Sequence, residues 1–461
     1  MGAAPPSPPQ PPPLPQAQGQ TEEPRIPELG AQKLGTKGLD AQELVAQLGA
    51  RAELAAQFSP PALDCARFLS STGLSSLGLG STAPGSPDHA NPGTANPAPT
   101  SSGPPSAGLA PPGPILDVRS PAEFAQGHIP GATNLPLFSD AERAEIGTLY
   151  KQEGRQAAVL KGLSLVGPRL EALAAALVEA ASPGRAAPLV PAAAQGQLAG
   201  PVLRIHCWRG GMRSGSVAWL AGQLDLPVLL LGGGYKAYRH WVLELFERPW
   251  PLRLLGGRTG CGKTDLLLAL RQQGVAVLDL EGRAHHRGSS FGALGLPPQP
   301  SSEHYENLLA ADLASLEGAD EIWLEAESSQ VGRCRIPAGL WRQMKGAPAL
   351  EIQRPLEQRV SQLVAIYGMQ DPAGLAEATQ RIAKRLGPQR TALALEAIAA
   401  ADWASACRQM LDYYDRCYDH DLSSHAVQAV DLGELAPSEA AGLLLEQGLV
   451  RVRPCGSKRG S

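Results

Sequence analysis

From about residue 115 onward, short apolar runs alternate with stretches of helical periodicity. Ile115–Val118, Val202–His206 and Val228–Leu231 are apolar, end in polar or glycine-rich sequence, and predict strands. Between them, residues at about 142–151, 168–181 and 213–224 place apolar side chains three or four apart and predict helices. Leu252–Leu255 opens a second series. A helix is expected at about 264–273, a strand over Val275–Leu280, a helix at 305–316 and a strand over Glu321–Leu324. Beyond Leu356 the pattern turns helical, over 356–366, 373–386 and 391–414. Strands alternating with helices predict parallel sheets and an α/β fold.

The first 112 residues read differently. Leu39, Leu44, Leu48, Leu54, Phe58, Leu63, Phe68 and Leu69 predict one or two short helices over 38–70, broken at Pro60-Pro61. Residues 1 to about 28, with the run PPSPPQPPPLPQ, and residues 81–114 have no periodicity and read as low complexity and linker. Residues 183–201, rich in Pro, Ala and Gly, read as a surface insertion. Composition sharpens this division, since 21 of the 43 Pro fall in residues 1–112.

Charge and cysteine usage narrow the function classes. The chain carries 40 Lys+Arg and 44 Asp+Glu, a formal net charge of −4. Residues 1–112 hold 5 Lys+Arg and 8 Asp+Glu, a net of −3, so the remainder sits at −4 − (−3) = −1. A uniformly basic nucleic-acid coat is excluded, and any such contact must rest on local patches. Seven Cys with no Cys-x-x-Cys pair read as free thiols in a reducing compartment, so a cytoplasmic location is expected. No apolar run reaches membrane-span length and the N-terminus lacks a secretory pattern, so no membrane association is expected.

Two loops carry candidate chemistry. Val202–His206 leads into Cys207-Trp208-Arg209-Gly210-Gly211-Met212-Arg213-Ser214 and then a helix. Two glycines let such a loop close so that amides point inward, and the helix N-terminus adds positive potential. Cys207 there is expected to be a nucleophile of lowered pKa, with Trp208, Arg209, Gly210, Gly211 and Arg213 binding an anion. The plainer alternative is a buried structural Cys. His206-Cys207-x5-Arg213-Ser214 also matches a phosphatase loop, so attack on phosphorus and transfer of sulfur or selenium both stay open. The second loop, Gly257-Arg258-Thr259-Gly260-Cys261-Gly262-Lys263-Thr264, is a full G-x-x-x-x-G-K-[ST] match between an apolar strand and a Leu-rich helix. Gly257, Gly260, Gly262, Lys263 and Thr264 are expected to hold a diphosphate, that of ATP by default although any diphosphate suits, with a Mg²⁺ ion compatible at Thr264. Asp279 and Glu325 end the following apolar runs, either as acids serving this loop or as ordinary strand-end carboxylates.

Asp117-Val118-Arg119-Ser120-Pro121 with Glu123-Phe124, then Gly127–Ala132, resembles the first half of a rhodanese domain, and Gly233-Gly234-Tyr235 its end. Joined to a P-loop unit, and with Asp140–Gly154, Gly233–Arg239, Asp279–Gly292, Gln299-Pro300-Ser301, Glu306-Asn307, Glu327-Ser328 and Tyr413-Tyr414-Asp415, the chain from about Ile115 resembles the tRNA 2-selenouridine synthases. Residues 1–112 have no counterpart in that family's core, so the first rhodanese strand is expected to be short or rebuilt. Composition sets off a Pro-rich extension at 1–112, and the resemblance implies a rhodanese-like domain at 113–247, a P-loop α/β domain at 248–355 and a helical C-terminal region at 356–461. It implies a two-step reaction on the wobble uridine of tRNAs for Lys, Glu and Gln. The 2-thiouridine is S-geranylated from geranyl diphosphate, and the S-geranyl group is then displaced by selenium from selenophosphate. Cys207 would carry the selenium as a selanyl-cysteine. Arg209 and Arg213 would bind the phosphate of selenophosphate.

The resemblance implies no tightly bound cofactor, and a monomer is expected. Arg283, His286 and Arg287 lie in a basic Gly/Ser-rich segment that is either a solvated loop or, as the resemblance favours, a contact for tRNA phosphate or the ligand diphosphate. His285 and His286 lack a third metal ligand at suitable spacing, so no metal site is expected. Lys236 and Arg239 either line the cysteine pocket or lie on the surface, and Arg381, Lys384 and Arg385 are either a tRNA-docking patch or a solvated face. Cys407, Cys417 and His420 lack metal-site spacing. Two further readings of the whole chain are a Cys-dependent phosphatase fused to an NTPase, and a P-loop protein with an inactive rhodanese platform.

Overall fold

The apolar runs of the first half assemble into a parallel sheet ordered β1-β5-β4-β2-β3. Its strands are β1 (Ala62–Leu63), β2 (Ile115–Asp117), β3 (Ala132–Asn134), β4 (Leu203–His206) and β5 (Val228–Leu231). The computed structural model describes residues 62–69, 113–182, 202–422 and 427–452, all within one compact unit. The low-complexity start, the linker, the 183–201 insertion, most of the expected 38–70 helical segment and the tail past 452 lie outside the described residues.

The part of 38–70 that is described is not simply helical. Ala62–Leu63 pairs in parallel with Leu230–Leu231 as an edge strand, and only Cys65–Leu69 is helical. Phe68 is fully buried, and the Arg204 guanidinium donates to the Phe68 carbonyl at 3.1 Å. The rhodanese-like sheet is therefore completed by a segment far upstream of β2, and the extension does not stand wholly apart from it.

Helices cover this sheet. Asp140–Gln152 starts earlier than its apolar periodicity because Ser139 and Glu142 cap it reciprocally, at 3.3 and 2.8 Å. Arg155–Val166 was not expected as a helix; it leaves Leu160 and Leu163 exposed, which blurs the pattern. Leu170–Ala181 and Met212–Gln223 bury Leu177, Val217 and Ala221 against β2 and β4 side chains.

The second parallel sheet holds β6 (Leu252–Gly256) and β7 (Ile322–Glu325). A small hairpin, β8 (Gln330–Val331) and β9 (Cys334–Arg335), follows, and then β10 (Ala349–Gln353) and β11 (Val427–Asp431) complete the order β11-β10-β6-β7. Two expectations need correction. Val275–Leu280 is buried but makes only one bridge, Val277 to Trp323, because Asp279 caps a helix that begins at Leu280. The region after 356 is not purely helical. Helices Leu356–Tyr367, Pro372–Arg381, Ala383–Leu386, Pro388–Ala399 and Trp403–Leu422 are inserted between β10 and β11 of the P-loop sheet. The long helix expected over 391–414 breaks where Ala401 takes a φ of 56°.

One helix ties the two sheets together. Gly234–Glu247 presents Tyr235, Tyr238, Val242, Leu245 and Phe246 to a continuous core shared with Leu309 and Leu313 of helix Ser302–Ser315. Burial of a large side chain at a sheet edge is strongly stabilising. Phe68→Ala is therefore expected to cost about 3 kcal/mol or more of stability, measured by chemical denaturation of the full chain.

Candidate active site

The thiol loop follows from its glycines. Gly234 takes a φ of +61°, and a Cβ there would stand 2.4 Å from the Cys207 carbonyl oxygen. The chain after β5 thus lies directly on the cysteine loop, and the Tyr235 amide donates to the Cys207 carbonyl at 2.8 Å. Gly210 takes a φ of +65° and faces the same turn from the other side. Helix Met212–Gln223 begins at Gly211 with no side-chain cap, leaving its first amides for another acceptor.

Cys207 Sγ is 3.2 Å from Ser214 Oγ, and the residue is 3 % exposed. Burial alone would raise the thiol, but hydrogen bonds from the Ser214 hydroxyl and from the amides of Ser214, Arg209 and Gly211 outweigh it and lower its pKa. His206, fully buried beside it, is pushed down to about 4 by desolvation and is uncharged at neutral pH. It adds no cationic help to the thiol.

The arginines divide. Arg209 is exposed at the loop. Arg213 is held by Glu123 at 2.6 Å, and Glu123 also accepts from the Ser120 amide at 3.0 Å. Burial opposes the Glu123 charge, and its bonds to Arg213 and Ser120 lower its pKa nonetheless. Trp208 packs half-buried against Tyr235, with ring centroids 5.9 Å apart. Lys236 is exposed, whereas Arg239 turns to Asn307 and Glu306 of helix Ser302–Ser315.

The phosphate loop turns where glycine is required. Gly260 has a φ of +84°, and a Cβ would lie 2.8 Å from the Arg359 carbonyl oxygen. Gly257 and Gly262 also take positive φ, at 151° and 75°. Lys263 folds back, its Nζ donating to the Gly257 carbonyl at 2.8 Å, and opens helix Lys263–Gln272. Arg359, 4 % exposed, donates from Nε to the Thr259 carbonyl at 2.9 Å and pairs with Asp415 at 3.0 Å. The inserted helices thus brace this loop.

The acid beside the loop is one the sequence reading missed. Thr264 Oγ1 donates to Glu281 Oε2 at 2.6 Å. Asp279 instead caps its helix, accepting from the Gly282 amide at 2.7 Å. Glu325 accepts from the Leu280 amide at 3.0 Å, and burial, with Glu281 and Asp279 adding, pushes it up to about 8. Glu327 is raised well above its usual range by burial and by neighbouring Glu281. The signal for Glu281 was its place on the helix that Asp279 begins.

A cleft of about 1000 Å³ opens over Gly260, Lys263 and Thr264. Arg287, Arg385 and Arg416 line it with Tyr367, Tyr413 and Tyr418. Arg283 does not, being held by Asp312 at 2.6 and 2.7 Å. His286 is buried, with its pKa lowered by desolvation, and lies behind the cleft against Gly292 and Gly332. Arg381 is tied to Glu377 and the Ser290 carbonyl, so of the expected basic patch only Arg385 reaches the cleft. Cys407 is buried among apolar neighbours, and the side chains of Cys417 and His420 lie outside the described residues.

The family profile described as tRNA 2-selenouridine synthase AAA domain matches residues 250–439, and that of the rhodanese-like domain matches residues 106–161. The tRNA 2-selenouridine synthase of Bordetella bronchiseptica is 36 % identical over 358 residues, covering 70 % of this chain and 91 % of that protein. That of Alcanivorax borkumensis is 36 % identical over 351 residues, covering 68 % and 90 %. That of Pseudomonas fluorescens is 40 % identical over 261 residues, covering 55 % and 65 %.

The lowered thiol pKa is testable. Alkylation of Cys207 by iodoacetamide, followed by peptide mass spectrometry, should rise with pH through an inflection below that of a free cysteine. Ser214→Ala removes a donor to the thiolate and should move the inflection upward, slowing alkylation at pH 7. An unmoved inflection would disprove the role of Ser214.

Proposed function

The chain belongs to the tRNA 2-selenouridine synthase family, and from that premise we propose that it modifies the wobble uridine of tRNA in two steps, one at each loop. As a member it is an enzyme of tRNA modification. The observation that best supports two separate steps is that the cleft over the phosphate loop is lined from Thr259 to Tyr418 and includes no residue of the thiol loop.

In the first step the phosphate loop holds the diphosphate of geranyl diphosphate. The 2-thiouridine sulfur forms a bond to C1 of the geranyl group. The C1–O bond breaks, its electron pair leaves on diphosphate, and the base loses its N3 proton to water. Lys263 and the loop amides stabilise the charge gathering on the departing diphosphate. Thr264 and Glu281, 2.6 Å apart, are the oxygens available to a divalent cation travelling with it.

The second step belongs to the thiol loop. Selenium forms a bond to C2 of the base and the C2–S bond breaks, releasing geranylthiol. Water cleaves the P–Se bond of selenophosphate to give phosphate, so no oxidant is required. Cys207, whose anionic form is favoured by the Ser214 hydroxyl and three amides, handles the selenium, and the amide cradle suits the selenophosphate anion. The substrates are tRNAs for Lys, Glu and Gln read at the anticodon loop. Arg385, Arg416 and the tyrosines of the cleft suit phosphate and base contacts. The phosphatase reading has less support, because Arg213 is engaged by Glu123 and His206 is uncharged.

Mass spectrometry of tRNA nucleosides tests the two steps separately. Cys207→Ala should abolish 2-selenouridine and let S-geranyl-2-thiouridine accumulate. Lys263→Ala should slow S-geranylation by about 100-fold or more. Normal selenouridine in the first variant, or normal geranylation in the second, would refute the corresponding assignment.

A further inference from the structure

A second hollow adjoins the phosphate-loop cleft. It shares Thr259, Ser289, Leu363, Tyr367 and Tyr414 with the cleft, so the two meet beside the loop. Its depth lies among the inserted helices and is lined by Phe291, Leu375, Ile398, Ala406 and Leu411, each buried. On the measure that gives the cleft about 1000 Å³, the hollow holds about 50 Å³, a narrow slot that opens onto the cleft. The Cys407 thiol on the same wall is pushed up to about 11 by burial and carries no charge.

This lining selects among ligands of the loop. A nucleotide would bring a base whose ring nitrogens and exocyclic groups need hydrogen-bond partners. The depth of the hollow contains no amide side chain and no charged group, and polar groups buried there without partners are costly. A branched hydrocarbon has no such requirement. Hydroxyls are found where the hollow meets the cleft, on Thr259 and Ser289. Anion-binding loop at one end and apolar wall at the other match a molecule with a diphosphate head and a hydrocarbon tail.

We propose that the hollow between the phosphate loop and helices Leu356–Tyr367, Pro388–Ala399 and Trp403–Leu422 receives the isoprenyl tail of the diphosphate donor and sets the tail length the enzyme accepts. The proposal rests on the reading of the first step given above. Ala406 lies on the wall, 3 % exposed, so a larger side chain there occupies space the tail needs. Trp403, half-buried on the same wall, is the bulky residue whose trimming lengthens the hollow.

The test uses the full chain, a 2-thiouridine-containing anticodon stem-loop, and dimethylallyl, geranyl and farnesyl diphosphates as donors. Each methylene kept from an apolar site weakens binding about fourfold. Ala406→Leu should therefore raise KM for geranyl diphosphate by about 10-fold or more, leave KM for dimethylallyl diphosphate and the binding of inorganic diphosphate unchanged, and keep the wild-type thermal transition. Trp403→Leu should improve farnesyl diphosphate relative to geranyl diphosphate. Unchanged donor preference in both variants, with geranylation intact, would overturn the tail assignment while leaving the first step standing. Equal loss for all donors and for inorganic diphosphate would also overturn it, because the effect would not depend on the tail. Absence of any S-alkyl product with the wild-type chain would overturn the first step itself and the tail assignment with it.

Discussion

A fully buried arginine holds the molecule in one piece. Arg119, 1 % exposed, donates to both oxygens of buried Asp117, bonds the Gly127 carbonyl at 2.7 Å, and lies 3.7 Å from the centre of the Tyr235 ring. Such a cation is tolerable in the interior only because its charge is met by a carboxylate and a ring face at once. Tyr235 then extends the network across to the second sheet's half. Its hydroxyl donates to Glu303 at 2.8 Å and accepts from Asn307 at 2.7 Å, and Asn307 also donates to the His128 carbonyl at 2.9 Å. A Cβ on Gly127 would stand 2.8 Å from both the Tyr235 hydroxyl and Glu303, so an added carbon would displace the side chains that make this network.

The Cys207 loop and the phosphate-loop side both hang from this junction. Tyr235 opens the helix whose first turn lies on the Cys207 loop, and the Tyr305 hydroxyl of helix Ser302–Ser315 donates to the carbonyl of Leu280 next to Glu281. The segments Asp117–Arg119, Gly233–Arg239 and Glu306-Asn307, which carry the family resemblance, hold the structure together here. They fix where the Cys207 loop and the phosphate loop stand relative to the two sheets.

The local devices were legible because they depend on neighbours in sequence. Glycine spacing set the two tight loops, an apolar run before each set a strand, and Ser139 with Glu142 set a helix start. Among the described residues no helix is long and apolar enough to cross a membrane, in line with the absence of long apolar runs. The acid beside Thr264 is marked in the sequence only by its place just after Asp279, and its contact with Thr264 is a tertiary one. Asp279 and Glu325 sit at the ends of apolar runs and drew attention, but a cap and a buried amide contact occupy them.

By itself the sequence determined the two tight glycine loops, the alternation of strands and helices, and the family. Each of these is written in spacings of a few residues, where covalent connection already brings the groups together. Only the tertiary structure decided which distant segments complete them. Ala62–Leu63 becomes an edge strand of the first sheet, Val427–Asp431 one of the second, Glu123 takes Arg213, and Arg359 braces the phosphate loop. Those choices rest on strand pairing, burial and hydrogen bonding between residues far apart in sequence, 168 positions for Ala62 and Leu230, 78 for Ala349 and Val427, 90 for Glu123 and Arg213 and 100 for Arg359 and Thr259. No local pattern encodes a partner at that distance, because only the closed fold brings the pair into the same low-dielectric surroundings.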